Sequence, residues 1–152
     1  MTNKQFEVKE YLSSLRFAEK MIEIKLEKIE ETRELALRVN QALNPVKVQG
    51  GQRKNIVEEV AIKVAGLTQQ LEKQVDEYKE LQSNVVKLIE SVPDSTEREI
   101  LDLRYVHFKK WEEIADIVAY TRMNVSRIHI KGLNCISKSG LFKKIKMLQN
   151  VT

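Results

Sequence analysis

The sequence predicts an all-α protein in which a long antiparallel coiled-coil helical hairpin is followed by a small helix-turn-helix domain. Only five glycines and two prolines occur in 152 residues, and charged residues make up 32%. This composition favours long helices over a sheet. Apolar residues recur every seven positions through most of residues 1–92. Shorter helical patterns separated by turns follow in residues 93–137, and residues 138–152 form a basic tail or a short helix.

The first predicted element is an amphipathic helix over residues 4–43, a stretch that contains no proline or glycine. Its apolar stripe includes Leu15, Ile22 and Ile29, which lie seven residues apart. Acidic and basic residues alternate around this stripe, as expected for a helix with one buried and one solvated face.

A loop over residues 44–54 and a second helix over residues 55–92 are predicted next. The loop contains a proline and two adjacent glycines, which lower helix propensity. The helix carries the two apolar seams of a coiled coil, with a single polar break at Gln74. It should end near Ser91, because Pro93 disfavours helix in the residue before it.

Two long helices joined by a short loop most simply fold back into an antiparallel hairpin, here residues 1–92. Each helix then covers the apolar stripe of the other. Because a two-helix hairpin is thin, apolar surface remains uncovered. We therefore expect a homodimer formed through the coiled coil, or packing on another partner.

The domain at residues 93–137 shows the signals of a helix-turn-helix. Side-chain oxygens at positions 94–96 offer N-caps for its first helix. The second helix is predicted over Trp111–Val118 and the turn over Ala119–Thr121, with Thr121 capping the third helix. The segment 138–152 is expected to pack on this domain as a short helix, in preference to a free tail that contacts DNA phosphate, polymerase or membrane.

The positive charge of the chain is concentrated after residue 92. The net charge is +4, and residues 93–152 hold 11 Lys and Arg against 7 Asp and Glu. No acidic residue follows Asp116. A basic, acid-free helix after a tight turn suits a polyanion, and the natural candidate is double-stranded DNA.

The exposed face of the third helix supplies the candidate DNA contacts, since Val125, Ile128 and Leu133 are expected to face inward. The DNA-binding candidates are Arg122, Met123, Asn124, Ser126, Arg127 and Lys131. Arginine pairs with guanine and asparagine with adenine in the major groove, so Arg122, Asn124 and Arg127 are expected to contact bases. Lys131 extends the basic face and is expected to meet phosphate.

Several other function classes lack support in the sequence. Cys135 is the only cysteine, which fits a reducing compartment, and no apolar run suggests a signal peptide or a membrane span. We expect a cytoplasmic protein without membrane contact. We also expect no enzymatic activity, cofactor or metal, because no phosphate loop or nucleophile motif occurs and His107 and His129 have no zinc-ligand spacing. Packing or phosphate contact is expected for His129.

The last third of the chain resembles region four of bacterial sigma factors, the domain that binds the minus-thirty-five promoter element. The resemblance is carried by Glu97–Glu99, Leu103–Tyr105, Glu112–Ala115, Thr121–Arg122, Val125, Ile128 and Leu133. It implies that Arg122, Asn124, Ser126 and Arg127 face DNA. Met123 stands where sigma factors usually carry an acid and Ser126 where they usually carry a base, so promoter specificity is not transferred.

The layout of the whole chain resembles phage and prophage sigma-like (ArpU-like) regulators of late transcription. The matching signals are Lys9–Ser13, Gly50–Asn55, Trp111–Ala115 and Arg127–Leu133. This resemblance implies binding to promoter DNA in a bacterial host cell and contact with RNA polymerase. Two alternatives stay open: an oligomeric DNA-packaging protein similar to small terminase subunits, and a sigma-like decoy that binds polymerase but not DNA.

Overall fold

The fold is that of a computed structural model, which describes residues 1–43 and 50–151. Within these residues the protein consists of α-helices without any β-strand, which confirms the predicted all-α class. The helices are α1 (Asn3–Leu43), α2 (Gly50–Glu90), α3 (Ser95–Tyr105), α4 (Trp111–Val118), α5 (Arg122–Lys138) and α6 (Gly140–Val151). Among the described residues, no helix combines the length and apolar character that a membrane span needs.

The two long helices follow the predicted boundaries except at the start of α2. The predicted loop covered residues 44–54, of which 44–49 lie outside the described residues. The prediction is wrong for residues 50–54, because α2 already begins at Gly50. A glycine costs a helix only about 1 kcal/mol, and extending a helix that the heptad pattern has already nucleated is inexpensive. At its other end α2 stops at Glu90, as the following Pro93 predicts.

The chain divides into two compact units, and both long helices contribute to each of them. One unit comprises Ala18–Glu77, and the other comprises Met1–Phe17 together with Tyr78–Thr152. The division between the units therefore falls within α1 and within α2.

The unit formed by Ala18–Glu77 is a two-helix arrangement. Ile29 of α1 and Leu67 of α2 are buried. Lys25 Nζ donates a hydrogen bond to Gln70 Oε1 at 2.8 Å, which links the two helices at the surface. Gln74, the polar break in the second heptad seam, is half-buried, and its Oε1 atom has no hydrogen-bond partner among the described residues.

In the other unit, the start of α1 lies beside the end of α2, which is the predicted antiparallel arrangement. The shared core explains why the first 17 residues group with the C-terminal helices. It is formed by buried side chains of α1, α2, α3, α5 and α6: Val8, Leu12, Leu15, Val85, Leu88, Leu101, Leu133, Ile136, Phe142 and Ile145. The Tyr11 ring meets Phe142 edge to face at 5.9 Å. Gln5 Nε2 donates to Asn134 Oδ1 at 3.1 Å, a contact between residues 129 positions apart.

Helix α5 crosses α3 at a glycine. A Cβ atom added at Gly132 would lie 2.8 Å from Leu101 Cδ1 and 3.6 Å from Glu97 Cβ. Because Leu101 is fully buried, its side chain has little room to move aside. The absence of a side chain at residue 132 therefore allows α5 to approach α3 closely. Helix α6 packs on the same unit through Phe142 and Ile145, which confirms the predicted C-terminal short helix.

Candidate nucleic-acid interface

The turn between α4 and α5 is built from three residues with distinct roles. Ala119 ends α4 in the left-handed conformation, with φ 58° and ψ 38°, and its N–H donates to the Ala115 carbonyl. This conformation costs a residue with a Cβ atom roughly 1–2 kcal/mol. Tyr120 N–H also donates to the Ala115 carbonyl, at 3.2 Å. The chain thereby reverses within three residues, as the sequence predicts.

The predicted N-cap Thr121 is confirmed, and of the three candidate caps at positions 94–96 the structure uses Asp94. Thr121 Oγ1 accepts a hydrogen bond from the Asn124 N–H at 3.2 Å, which fixes the start of α5. Asp94 Oδ1 accepts from the N–H groups of Thr96 and Glu97, both at 2.9 Å, and fixes the start of α3. Each cap satisfies backbone donors that lack a partner inside the helix.

A small apolar cluster holds α5 against α3 and α4. Ile100, Ile114, Ala115 and Val125 are buried in it, and Ile128 packs against its edge. Leu133 is fully buried in the larger core. The inward orientation predicted for Val125, Ile128 and Leu133 is therefore confirmed, and the opposite face of α5 points to solvent.

Five of the six candidate DNA contacts are exposed, and Asn124 is half-buried. Met123 has 84% of its surface accessible, a high value for an apolar side chain. The exposed candidates are Arg122, Met123, Ser126, Arg127 and Lys131. The described residues of α5 and α6 contain no acid, so every ionised Lys, Arg, Asp or Glu side chain on these two helices is positive.

Two contacts hold the candidate side chains in the free protein. Arg122 Nη1 pairs with Glu112 Oε1 at 2.9 Å, and both side chains are more than half exposed. Such exposed pairs stabilise by at most about 1 kcal/mol, so a phosphate or base can displace Glu112 at small cost. Arg127 Nη2 donates to Asn124 Oδ1 at 2.7 Å. Asn124 Nδ2 and the other N–H groups of Arg127 take no part in this bond, so both side chains keep donors for a base.

Lys131 lies within electrostatic reach of α3. The pKa of Glu97 is raised above its ordinary value, mainly by burial and also by Asp94, while the positive charge of Lys131 lowers it. Lys131 is therefore at the edge of the basic face, where a neighbouring carboxylate reduces the local positive potential.

His129 lies on the inward side of α5, where it packs against aromatic side chains. Its surface is 5% accessible, and Nε2 is 2.6 Å from the Tyr105 hydroxyl. The rings of Trp111 and His129 meet edge to face, and their centroids are 4.7 Å apart. Burial lowers the His129 pKa to about 4, assisted by the positive charges of Lys9 and Arg104. Of the two roles predicted from the sequence, packing is confirmed and phosphate contact is excluded by this burial.

The aromatic cluster around His129 also positions the segment between α3 and α4. The Arg104 guanidinium lies 4.5 Å from the Trp111 ring centroid, and its Nη1 donates to the Lys109 carbonyl at 2.9 Å. Burial raises the pKa of the Tyr105 phenol above its ordinary value. The sequence contains no local signal for this cluster, because its members come from three helices.

A small cavity adjoins the first turns of α5. Its volume is about 120 Å³, and its lining consists of Trp111, Arg122, Val125, Ser126 and His129. The space is large enough for a few water molecules. Its position next to Arg122 and Ser126 makes it part of the candidate interface. In the part of the chain that the structure describes, no cluster of three or more His, Cys, Asp or Glu side chains is arranged to hold a metal ion.

Comparison with known protein families agrees with this geometry. Residues 94–138 match the family model for sigma-70, region 4. The matched segment begins at the N-cap of α3 and ends at the last residue of α5. No curated protein matches the chain, and no solved structure matches it. The α3–α5 segment is therefore a DNA-binding helix-turn-helix domain similar to region four of sigma factors.

Proposed function

We propose that this protein is a sequence-specific transcription regulator of phage or prophage genes, without enzymatic activity of its own. The observation that carries the proposal is the match of residues 94–138 to sigma-70 region 4. This segment presents an exposed, basic and acid-free helix face. In a helix-turn-helix, the N-terminal part of the second helix enters the major groove. For this chain, that part begins at Arg122.

Each candidate side chain has a distinct proposed role. Arg122 leaves Glu112 to contact a base or a phosphate, and Arg127 with Asn124 provides the direct base contacts. Lys131 supplies a phosphate contact at the edge of the face. Met123 and Ser126 occupy the first two turns of the same helix, where an apolar group suits a thymine methyl and a hydroxyl suits a base edge or phosphate.

Binding to promoter duplex, with contact to bacterial RNA polymerase, completes the proposal. Support for the polymerase contact comes from the sigma-like domain alone. The phage context rests on the resemblance of the whole chain to sigma-like late regulators.

The test of DNA binding compares promoter and random duplex by fluorescence anisotropy. Wild-type protein should prefer a site recovered by footprinting on the phage genome, and affinity should fall steeply with salt. Arg127→Ala should weaken specific binding by ~1–3 kcal/mol and narrow the gap between specific and random sequence. Arg33→Ala, which removes an exposed arginine from α1, is the matched control and should bind like wild type.

One result would contradict the proposed role of α5, and another would identify a decoy that binds polymerase but not DNA. Equal affinity of wild type and Arg127→Ala for both duplexes would contradict the assigned role of α5. Capture of RNA polymerase by a protein that binds neither duplex would instead identify a decoy.

A further inference from the structure

A second heptad stripe runs along α1, separate from the side of the helix on which Ile29 is buried. It contains Met21, Ile24, Lys28, Glu31, Leu35 and Arg38, which are spaced alternately three and four residues apart. All six side chains are exposed. The accessible fraction is 55% for Ile24 and 58% for Leu35, high values for side chains of this size.

Alternating steps of three and four residues are the signature of a coiled-coil seam. A helix that already packs along one side and carries such a seam on another can pair with a further helix. In this seam, the apolar residues are Met21, Ile24 and Leu35. The two central residues, Lys28 and Glu31, carry opposite charges.

The order of residues along the stripe is self-complementary when a second copy runs in the opposite direction. In the register centred between Lys28 and Glu31, Lys28 of one chain lies opposite Glu31 of the other, and the reverse pair forms by symmetry. On either side of these charges, Ile24 lies opposite Leu35. Met21 then lies opposite Arg38, whose aliphatic stem can cover the thioether while its guanidinium reaches water.

We propose that two copies of this protein pair through α1 as an antiparallel two-fold coiled coil centred on Lys28 and Glu31. The twofold axis makes the interface isologous, with the same surface used by both chains. The dimer does not depend on DNA binding, and its test is independent of the proposed function.

Charge complementarity favours this register over the other simple arrangements. A parallel pair in register sets Lys28 against Lys28 and Glu31 against Glu31. An antiparallel pair shifted by one heptad in one direction sets Lys28 against Arg38, so like charges again meet. The shift in the other direction sets both Lys28 and Glu31 against apolar side chains, whereas in the proposed register these two charges pair with each other and only Arg38, at the end of the seam, faces an apolar side chain. Glu27 and Glu34 flank the stripe and approach each other in the proposed register, which weakens the dimer.

The first test measures the mass of the full chain in solution by sedimentation equilibrium. Wild type should show twice the chain mass of 17.7 kDa at high concentration. The double variant Ile24→Lys and Leu35→Lys should show the mass of one chain. The matched control changes Leu26 and Leu37, which are 50% and 60% exposed on the same helix but off the stripe.

With both control leucines replaced by lysine, the protein should remain a dimer. All four substituted positions are exposed, and circular dichroism verifies that the helices persist. A wild-type monomer throughout the concentration range overturns the proposal, and leaves the stripe to a different partner. Loss of the dimer in the control but not in the stripe variant overturns it as well.

The second test addresses the central charges. Lys28→Glu alone and Glu31→Lys alone each place like charges together and should be monomeric. An equimolar mixture of the two variants should form a heterodimer, because each like-charged stripe then meets its opposite. A mixture that stays monomeric contradicts the central pairing.

The third test addresses direction, in a Cys135→Ser background. On oxidation by dissolved oxygen, Met21→Cys mixed with Arg38→Cys should give a disulfide-linked heterodimer, because these two positions face each other only in the antiparallel register. Neither single-cysteine protein should cross-link with itself. Self-linking of Met21→Cys would show a parallel pair and overturn the proposed direction.

Discussion

Acidification should destabilise this protein through His129, which the fold keeps neutral in a buried aromatic cluster. In the unfolded chain, this imidazole takes up a proton near its ordinary pKa of 6.5, whereas in the folded protein burial lowers its pKa to about 4. Below pH 6.5 the unfolded state therefore binds more protons than the folded state. The contribution of His129 to stability is fully present above pH 6.5 and is lost as the pH falls towards 4.

The size of this effect follows from the two pKa values. The gap between 6.5 and about 4, at about 1.36 kcal/mol for each pH unit, corresponds to roughly 3 kcal/mol of unfolding free energy. Domains of this size are stable by about 5–15 kcal/mol, so the loss is a substantial part of the total. The cause is structural, because a protonated ring would lose water without gaining an acidic partner in the cluster with Tyr105 and Trp111.

The assay is urea unfolding at about pH 7.5 and about pH 4.5, compared between wild type and His129→Phe, because the variant lacks the proton-binding site. Unfolding is followed by circular dichroism and by the fluorescence of Trp111, the only tryptophan of the chain. Between these pH values, the wild type should lose roughly 2–3 kcal/mol more than the variant does. The compared quantity is the change in unfolding free energy between the two pH values. His129→Phe also loses the hydrogen bond to Tyr105, but it does so at both pH values, so this loss does not affect the comparison.

His107→Gln is the matched control, because it removes the exposed histidine that pairs with Asp102 at 3.1 Å. It should retain the additional acid sensitivity of the wild type. The reasoning would be refuted if His129→Phe and wild type lost the same free energy on acidification, or if the sensitivity disappeared in the His107 variant instead.

The remaining predictions concern α5. Gly132→Val should lower stability by ~1–3 kcal/mol in urea unfolding, because even its Cβ would lie 2.8 Å from the buried Leu101; an unchanged midpoint would show that α5 can shift away from α3. Thr121→Ala should lower the free energy of unfolding by ~1 kcal/mol, because the Asn124 N–H loses its cap acceptor. Thr121→Ser keeps a hydroxyl acceptor and should retain most of the wild-type stability. Lys131→Ala should weaken binding to specific and random duplex alike and lower the slope of log affinity against log salt by about 1; a loss confined to one sequence would instead indicate a base contact.

Structural features that depend on interactions between neighbouring residues could be predicted from the sequence. The N-caps at Asp94 and Thr121 join a side chain to backbone groups within three residues. The end of α2 follows from Pro93, and helix α4 has its predicted bounds. The prediction for Gly50–Lys54 is wrong because glycine lowers helix propensity only locally, whereas the coiled-coil pattern downstream favours helix.

The basic face of α5 was likewise determined by the sequence, because helical periodicity separates Val125 and Ile128 from the exposed candidates. Contacts between residues far apart in the sequence could not be predicted from the sequence pattern. The Gln5–Asn134 bond and the cluster of Tyr105, Trp111 and His129 join residues from different helices. Such contacts depend on how helices pack, which a periodic pattern does not specify.

The sequence by itself determined the helices, their caps, the turn and the sign of the charge on the exposed face of α5. The caps and the turn depend on neighbouring residues, and the helices and the charge of a face depend on periodic spacing along one segment. Only the tertiary structure decided that the first 17 residues share a core with the C-terminal domain, that Glu112 holds Arg122, and that His129 is buried. Apolar stripes specify which face is covered, but the partner that covers it is chosen by shape and volume across the whole fold.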